Sequence, residues 1–163
     1  MGSLNALGNA DVDALTYFET TGWRGLIERR NHPLRVEKFH SWPGMVFPVY
    51  HVLADVAEFR EGAVLPVDVG DGLRVQALAL RLGDRVRVLL ANMTDVAISV
   101  PLALPGATSG ELRRLDERSY VQAASDPEVF RESAQAVELS DGATDVTLPP
   151  FSVATLTATV GPA

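Results

Sequence analysis

The spacing of hydrophobic and polar positions changes once along the chain. The first 60 residues mix helical spacing with one short apolar run, whereas alternation with a period of two dominates from Ala63 onward. Such a change indicates a passage from an α/β segment to an all-β segment. The sequence therefore predicts two units, residues 1–60 and residues 61–163, with the boundary at Arg60-Glu61-Gly62.

Two helices and one strand are predicted in the first unit. Ser3–Asn9 has leucines at helical spacing followed by a glycine, which is typical of a helix end. The short apolar run Ala14–Phe18 predicts a strand buried on both faces, as strands of parallel sheets are. Apolar residues continue around most of the circumference of Val46–Phe59, which predicts a helix covered on more than one side. Pro48 falls in its first turn, where a missing N–H group costs nothing.

The second unit begins with a predicted β-hairpin. Leu73–Leu82 and Arg85–Ala91 are strand-like, and the pair Gly83-Asp84 between them favours a tight turn. In the second strand, Arg85 and Arg87 alternate with apolar residues and are predicted to face outward.

Further short strands and one short helix complete the predicted second unit. Asp126 followed by a proline predicts a helix start. The remaining strands are predicted at Val96–Leu104, Glu111–Asp116, Ala136–Leu139, Asp145–Leu148 and Ser152–Val160. The fold class predicted for the whole chain is mainly β: an antiparallel β-sandwich preceded by one β/α unit.

Composition excludes several classes of function. The chain has no cysteine, so disulfides and thiolate chemistry are excluded, and its net charge of −7 disfavours nucleic-acid or anionic-membrane binding. No apolar run approaches the length of a bilayer-spanning helix, and the N-terminus lacks the pattern of a signal peptide. We expect a cytoplasmic location, no cofactor, and neither nucleic acid nor membrane as a partner.

Four blocks of sequence carry a resemblance to a known family. They are Thr16-Tyr-Phe-Glu-Thr-Thr-Gly-Trp-Arg-Gly25, Pro43-Gly44, Phe47-Pro-Val-Tyr-His-Val-Leu-Ala-Asp55 and Leu89-Leu-Ala-Asn-Met-Thr94. Together they resemble the C-terminal part of the D-apionate lactonase family, which implies a glycosidase-like TIM barrel flanked by β-domains. Under this resemblance, Ala14–Glu19 would be the eighth barrel strand and Val46–Phe59 the eighth helix. Seven strands of the barrel would lie outside this chain.

The same resemblance implies where a site would lie, because barrel enzymes build sites at the C-terminal ends of their strands. Glu19 ends the predicted strand and is the candidate catalytic carboxylate of an incomplete site. The alternatives are contact with the substrate or with the residues around it, and a structural role in ordering the loop through Arg24. The candidate substrate-binding residues are Thr20, Thr21, Trp23, Arg24, His40 and Trp42.

Each of these residues also has a structural interpretation. Trp23 either stacks on a sugar ring or packs within its loop, and Arg24 either clamps a carboxylate or pairs with Glu19 or Glu28. His32, His40 and Glu37 match no metal-binding spacing, so we predict no metal site. Asn92-Met-Thr94 has the form of a glycosylation sequon, but turn chemistry also explains it. The sandwich aromatics Tyr120, Phe130 and Phe151 form no stripe that marks a sugar-binding face and are expected in the core or at its rim.

The function favoured by these patterns is that of a C-terminal, non-catalytic portion of a carbohydrate-active hydrolase, with the sandwich bracing the barrel. The parent would be a sugar-acid lactonase or a glycosidase acting on a sugar or sugar-acid. The alternatives are a free-standing carbohydrate-binding sandwich and a protein-interaction module that self-associates through residues 14–59. Because Met1 lies just before the tail of a predicted helix, we expect a boundary within a longer protein there.

Overall fold

The computed structural model describes residues 1–8, 10, 12, 14, 16–31, 37 and 40–161. The described part contains four helices and ten strands. The helices are α1 (Gly2–Gly8), α2 (Val49–Ala57), α3 (Tyr120–Ser125) and α4 (Pro127–Glu132). The strands are β1 (Glu19–Thr21), β2 (Gly25–Ile27), β3 (Ala63–Leu65), β4 (Val75–Leu82), β5 (Arg85–Asn92), β6 (Ile98–Ala103), β7 (Ser109–Leu115), β8 (Gln135–Glu138), β9 (Ala143–Leu148) and β10 (Val153–Thr159).

Two antiparallel sheets form the sandwich. The larger has six strands in the order β3-β4-β5-β10-β7-β8, and the smaller pairs β6 with β9. The core between them contains side chains from both sheets, including Ala77, Val88, Leu90, Val146, Leu148 and Leu156. The predicted fold class, a mainly β chain with an antiparallel sandwich behind a short helix-containing unit, is confirmed.

The large sheet is covered on both faces, which explains the nearly continuous apolar sequence of β4 and β5. Their inner face meets the smaller sheet, whereas Leu78, Leu80 and Leu89 on the outer face pack with Val52 and Phe59 of the α2 region. A strand between two apolar layers needs apolar residues at both alternating sets of positions.

Arg87 points away from the core between the two sheets, as predicted, but it is not exposed to solvent. Arg87 does lie on the face opposite Val86 and Val88, but that face is covered, and the residue is 6% exposed. Arg85, nearer the turn, is exposed as predicted. Alternation gave the correct face, and tertiary packing decided that this face is buried.

Helix α2 is shorter than predicted. Val46 forms an isolated bridge to Ile27, and its N–H group donates to the carbonyl of Ala124, so this residue is extended. Pro48 is the N-cap residue, and the helix ends before Glu58, its C-cap residue. Residues predicted as the first turn are instead used to connect β2 with α3.

The predicted buried strand at Ala14–Phe18 is wrong for this structure. Ala14, Thr16, Tyr17 and Phe18 are exposed and lie outside any strand, and Leu15 lies outside the described residues. The strand that exists begins at Glu19 and pairs in parallel with β2. A run of this composition becomes a buried strand when neighbouring strands cover it, and within the described chain β1 and β2 form a ladder of their own.

Two predicted turns follow the expected chemistry. Gly83 has φ of +63° in the two-residue loop between β4 and β5, where its missing Cβ removes the steric cost. Asn92 is 2% exposed, and its side-chain N–H group donates to the carbonyls of Val96, Leu148 and Pro149. The sequon is therefore turn chemistry, because its amide is buried and fully used.

Candidate functional site

The turn between β1 and β2 sets the positions of the predicted site residues. The Gly22 N–H group donates to the carbonyl of Ile27 (2.8 Å), and the Gly25 N–H group donates to Gly22 (2.7 Å). A Cβ at Gly25 would lie 2.9 Å from the Glu19 carbonyl oxygen, so this close approach requires glycine. The turn leaves Glu19, Thr20 and Thr21 exposed along β1.

Glu19 and Arg24 are brought together by this turn. Arg24 Nη1 lies 3.9 Å from Glu19 Oε1, and the two side chains are 64% and 59% exposed. The Arg24 guanidinium also lies over the Trp23 ring, 4.8 Å from its centroid. The structural pairing that the sequence left open is thus present, although an exposed pair of this length contributes little to stability.

Trp42 and His40 lie on the segment that leads to α2. Trp42 is half-buried and meets the ring of Tyr120 edge-on, with centroids 6.3 Å apart. The backbone N–H group of Trp42 donates to the sulfur of Met45 (3.3 Å). His40 is exposed, and His32 lies outside the described residues. Among the residues that the structure describes, no group of three or more His, Cys, Asp or Glu side chains is arranged for a metal ion.

Glu28 is a buried carboxylate that the sequence named only as an alternative partner of Arg24, and Arg24 pairs with Glu19 instead. It is 1% exposed, and its two oxygens accept hydrogen bonds from the Arg29 N–H group and the Ser41 hydroxyl, both at 2.8 Å. Within Glu-Arg-Arg it has the pattern of a solvated charge run. The sequence signal for its burial is its place one residue after the apolar pair of β2. In the structure its backbone N–H group donates to the carbonyl of Met45.

A second cluster of charges lies between α2, the large sheet and α4. Asp55 of α2 is 1% exposed and accepts hydrogen bonds from Arg113 at 2.6 and 2.7 Å and from the Thr155 hydroxyl at 2.8 Å. Arg131 of α4 lies 2.9 Å from the same carboxylate. Glu58 pairs with Arg87 at 2.6 Å and with Arg131. We call these residues the Asp55 network: Asp55, Glu58, Arg87, Arg113, Arg131 and Thr155.

Strand register builds this network. In the sheet, Thr155 of β10 lies opposite Arg113 of β7, and Thr157 lies opposite Arg87 of β5. The side chains therefore share one face, and the Arg87 Nε–H group donates to the Thr157 hydroxyl at 2.9 Å. The sequence signal was available: carboxylates interrupt an apolar helix, and arginines interrupt apolar strands, both at positions that face a second layer.

The electrostatics of the network favour the charged forms of Glu58 and Arg131. Burial tends to raise the pKa of Glu58, but hydrogen bonds and charge from Arg87 and Arg131 outweigh it and hold this pKa below its ordinary value. Burial tends to lower the pKa of Arg131, but the charges of Asp55 and Glu58 outweigh it and raise this pKa. A cavity of about 380 Å³ adjoins the network, and Glu111, Glu128 and Glu132 also line it. Because acids outnumber the three arginines there, the cavity does not favour an anion.

His51 lies one turn before Asp55 on α2. Its Nε2 lies 3.0 Å from the carbonyl of Ala123 in α3, and its ring meets that of Phe130 at 4.6 Å. Burial lowers its pKa, and the charges of Arg113 and Arg131 add to this effect. The neutral ring therefore donates from Nε2, so His51 and Asp55 together fix α2 against the α3–α4 segment.

Comparison with known families assigns both parts of the chain. Residues 72–156 match the description "D-apionate lactonase, C-terminal immunoglobulin-like domain", and residues 1–61 match "D-apionate lactonase, TIM barrel domain". The chain belongs to the D-apionate lactonase family. No curated protein matches it. The suspected resemblance is therefore confirmed for this family member.

Solved structures share its fold. A GH30 endoxylanase from Clostridium papyrosolvens C71 has a TM-score of 0.56 and 17% identity over 71% of the chain. The GH30 subfamily 8 xylanase Xyn30A from Clostridium acetobutylicum (TM-score 0.56, 13% identity) and GH30 xylanase C from Talaromyces cellulolyticus (0.57, 14%) each match 84% of the chain. The matched region spans 28%, 31% and 28% of these proteins, respectively. This lactonase-family chain thus shares its fold with less than a third of the length of these glycoside hydrolases.

No helix among the described residues is long and apolar enough to span a membrane.

Proposed function

We propose that this chain is the C-terminal, non-catalytic portion of a carbohydrate-active hydrolase, in which the sandwich braces the last helix of a barrel. The Asp55 network carries the proposal, because it ties α2 to both the large sheet and α4. The family match of residues 1–61 to a barrel domain supports the assignment of α2 to the barrel. Fully hydrogen-bonded buried charges favour one orientation of a helix over others.

In the intact protein, we propose that the exposed end of β1 lines the pocket for a sugar or sugar-acid. Glu19 would act there with carboxylates outside this chain. Thr20, Thr21, Trp23 and Arg24 would contact the substrate, with His40 and Trp42 further out. Glycoside cleavage needs two carboxylates, and lactone hydrolysis needs a base together with donors for the oxyanion. Glu19 with its partner Arg24 supplies one such group.

The test is hydrolysis of D-glucono-1,5-lactone by the purified chain, followed by acid release and compared with the buffer rate. We expect no acceleration, because one exposed carboxylate paired with an arginine lacks the remaining groups. The matched control is Glu19→Gln, which should behave identically. Acceleration by the wild type that Glu19→Gln abolishes would mean that the site is complete within this chain.

Self-association through residues 14–59 is a further proposal for the chain by itself. Tyr17 and Phe18 are 36% and 46% exposed and stack on each other, so they offer apolar surface within this segment. Sedimentation equilibrium should show dimers that Phe18→Ser weakens and that Leu73→Ser, at a 90% exposed residue elsewhere, does not. A strict monomer at high concentration would contradict it.

The cytoplasmic location and the division of the chain at residue 60 stay predictions.

A further inference from the structure

A recess of about 280 Å³ lies on the sandwich beside the start of α2. Its lining includes Tyr120 and Phe151, the acidic pair Asp116 and Glu117, and apolar Leu115. The recess is separate from the exposed end of β1. It is slightly below the size at which small-molecule sites become common.

Phe151 is held in this lining by an unusual backbone conformation. It has φ of +49°, and the Ser152 N–H group donates to the Pro149 carbonyl, so Phe151 is the third residue of a tight turn. Glycine or asparagine is the usual residue there, because a bulky side chain in the left-handed region costs free energy. Among the described residues, the other non-glycine residue with positive φ is Asp141, a type that tolerates it.

Burial of the Phe151 side chain does not offset the free-energy cost of its backbone conformation. Phe151 is 71% exposed, in contrast to Phe130, which is 1% exposed in the core. The turn is fixed by backbone groups, since the Phe151 N–H group donates to the Thr94 carbonyl at 3.0 Å. A strained backbone position that presents an aromatic ring to solvent is a feature that stability alone does not explain.

The chemistry around the ring favours a saccharide. Aromatic faces pack on the apolar C–H face of a pyranose, and carboxylates accept hydrogen bonds from its hydroxyl groups. Asp116 uses one oxygen to accept from the backbone of Arg118 and Ser119 and thereby orders the loop that presents Glu117. Two carboxylates at the recess repel a sugar acid, so the expected ligand is neutral.

We propose that Tyr120 and Phe151 form a binding site for a neutral saccharide on the sandwich. The ring of one sugar residue lies against Phe151, Tyr120 forms the opposite wall, and Glu117 accepts from its hydroxyls. Tyr120 is itself braced by Trp42, which meets its ring edge-on. The site does not depend on the lactonase or glycosidase activity of the intact protein, and it differs in charge preference from the pocket proposed at β1.

Saturation-transfer NMR on the purified chain tests the site, with xylobiose and methyl β-D-glucopyranoside as neutral probes and methyl β-D-glucuronide, which has the same ring, as the acid. We expect transfer to the ring C–H protons of the neutral sugars and none to methyl β-D-glucuronide. Phe151→Asn should weaken binding by roughly two- to tenfold, the factor for one aromatic contact. The same variant should keep or raise the denaturation midpoint, because asparagine suits this turn position.

Two further variants separate binding from folding. Tyr120→Phe keeps the ring and should keep binding, whereas Tyr120→Leu should weaken it. Val121→Ala, at a 64% exposed neighbour, is the matched control and should change nothing. Absence of transfer to both neutral sugars, or unchanged binding by Phe151→Asn, would overturn the proposal. Equal binding of methyl β-D-glucuronide would overturn the preference of the site for neutral sugars and with it the role of Glu117.

Discussion

His51 illustrates, at the scale of one residue, how burial changes chemistry. On the sequence it interrupts an apolar helix. In the fold it is 2% exposed, with Phe130 and Tyr50 against its ring and Arg113, Arg131 and Asp55 as its charged neighbours. Protonation would place a third positive group beside the two arginines, with a buried Nδ1 that has no hydrogen-bond partner among the described residues.

The first prediction concerns the pH dependence of stability. Folding lowers the pKa of His51 below its ordinary value of 6.5. The stabilisation that neutral His51 contributes to the free energy of unfolding is therefore fully present above pH 6.5 and is lost as the pH falls. The free energy of unfolding should therefore drop between pH 7 and pH 5. His51→Gln, which keeps a donor for the Ala123 carbonyl, should flatten this drop. This window lies above the range in which Glu58 becomes protonated, since its pKa is held below 4.5.

The control is His40→Gln, a change at an exposed histidine, measured by urea denaturation at each pH. It should follow the wild-type curve. If the wild type and His51→Gln lose equal stability between pH 7 and pH 5, the neutral buried imidazole is not responsible.

Among the elements, the β4–β5 hairpin is the one that local sequence specifies most completely. Leu82 lies opposite Arg85, so Gly83-Asp84 forms a two-residue loop as predicted. Alternation sets the faces of both strands, and the turn sets their register. No distant residue is needed for either decision.

The second prediction isolates the backbone cost of this turn. A Cβ at Gly83 would meet nothing within 4 Å, but φ of +63° strains any other residue. Gly83→Ala should therefore lower the free energy of unfolding by about 1 kcal/mol. Gly70→Ala is the matched control, because its Cβ also meets nothing and its φ is not positive. It should be neutral or slightly stabilising, and an equal loss in both variants would contradict the assignment to φ.

Elements whose form depends on distant contacts were predicted less well. Helix α2 begins at Val49 because Val46 and Phe47 bond to Ala124 and Leu26, partners that local spacing does not reveal. Tyr17 and Phe18 form no strand because their apolar pattern has no covering layer in the described chain. Helix α3 was not predicted at all, since Tyr120–Ser125 is too short for a periodic signal.

For the whole molecule, the Asp55 network attaches α2 to the sandwich through ion pairs. Asp55 meets Arg113 from the sheet and Arg131 from α4, while Val52 and Phe59 pack on the outer face of the sheet. Helix α2 lies in the part of the chain that matches the barrel domain of the family, yet it packs on the large sheet as a layer of the sandwich. This gives the bracing proposal its physical content.

The third prediction is that α2 unfolds together with the sheet. In hydrogen exchange, peptides covering residues 49–57 should be protected to the same extent as peptides covering β4 and β5. Residues 16–21 should exchange fast. Asp55→Asn should speed exchange in α2 and lower the free energy of unfolding by about 3–5 kcal/mol, because it removes the counter-charge of Arg113 and leaves Arg87 and Arg131 with Glu58 alone.

Glu61→Gln is the matched control, because this carboxylate is 78% exposed and pairs with Arg60 at 3.8 Å. Its effect should stay below about 0.5 kcal/mol. Fast exchange in wild-type α2, comparable to residues 16–21, would contradict the bracing role of the network.

The sequence by itself determined the family, the fold class, the hairpin turn and the faces of the strands, because alternation and turn residues act over a few positions. It also placed Glu19 and Arg24 close enough along the chain for the pairing that is observed. Tertiary structure alone decided that Arg87 and Glu28 are buried, that Asp55 meets three arginines, and that Phe151 stands exposed beside Tyr120. The physical reason is that burial and charge pairing join residues far apart in the chain, such as Asp55 and Thr155.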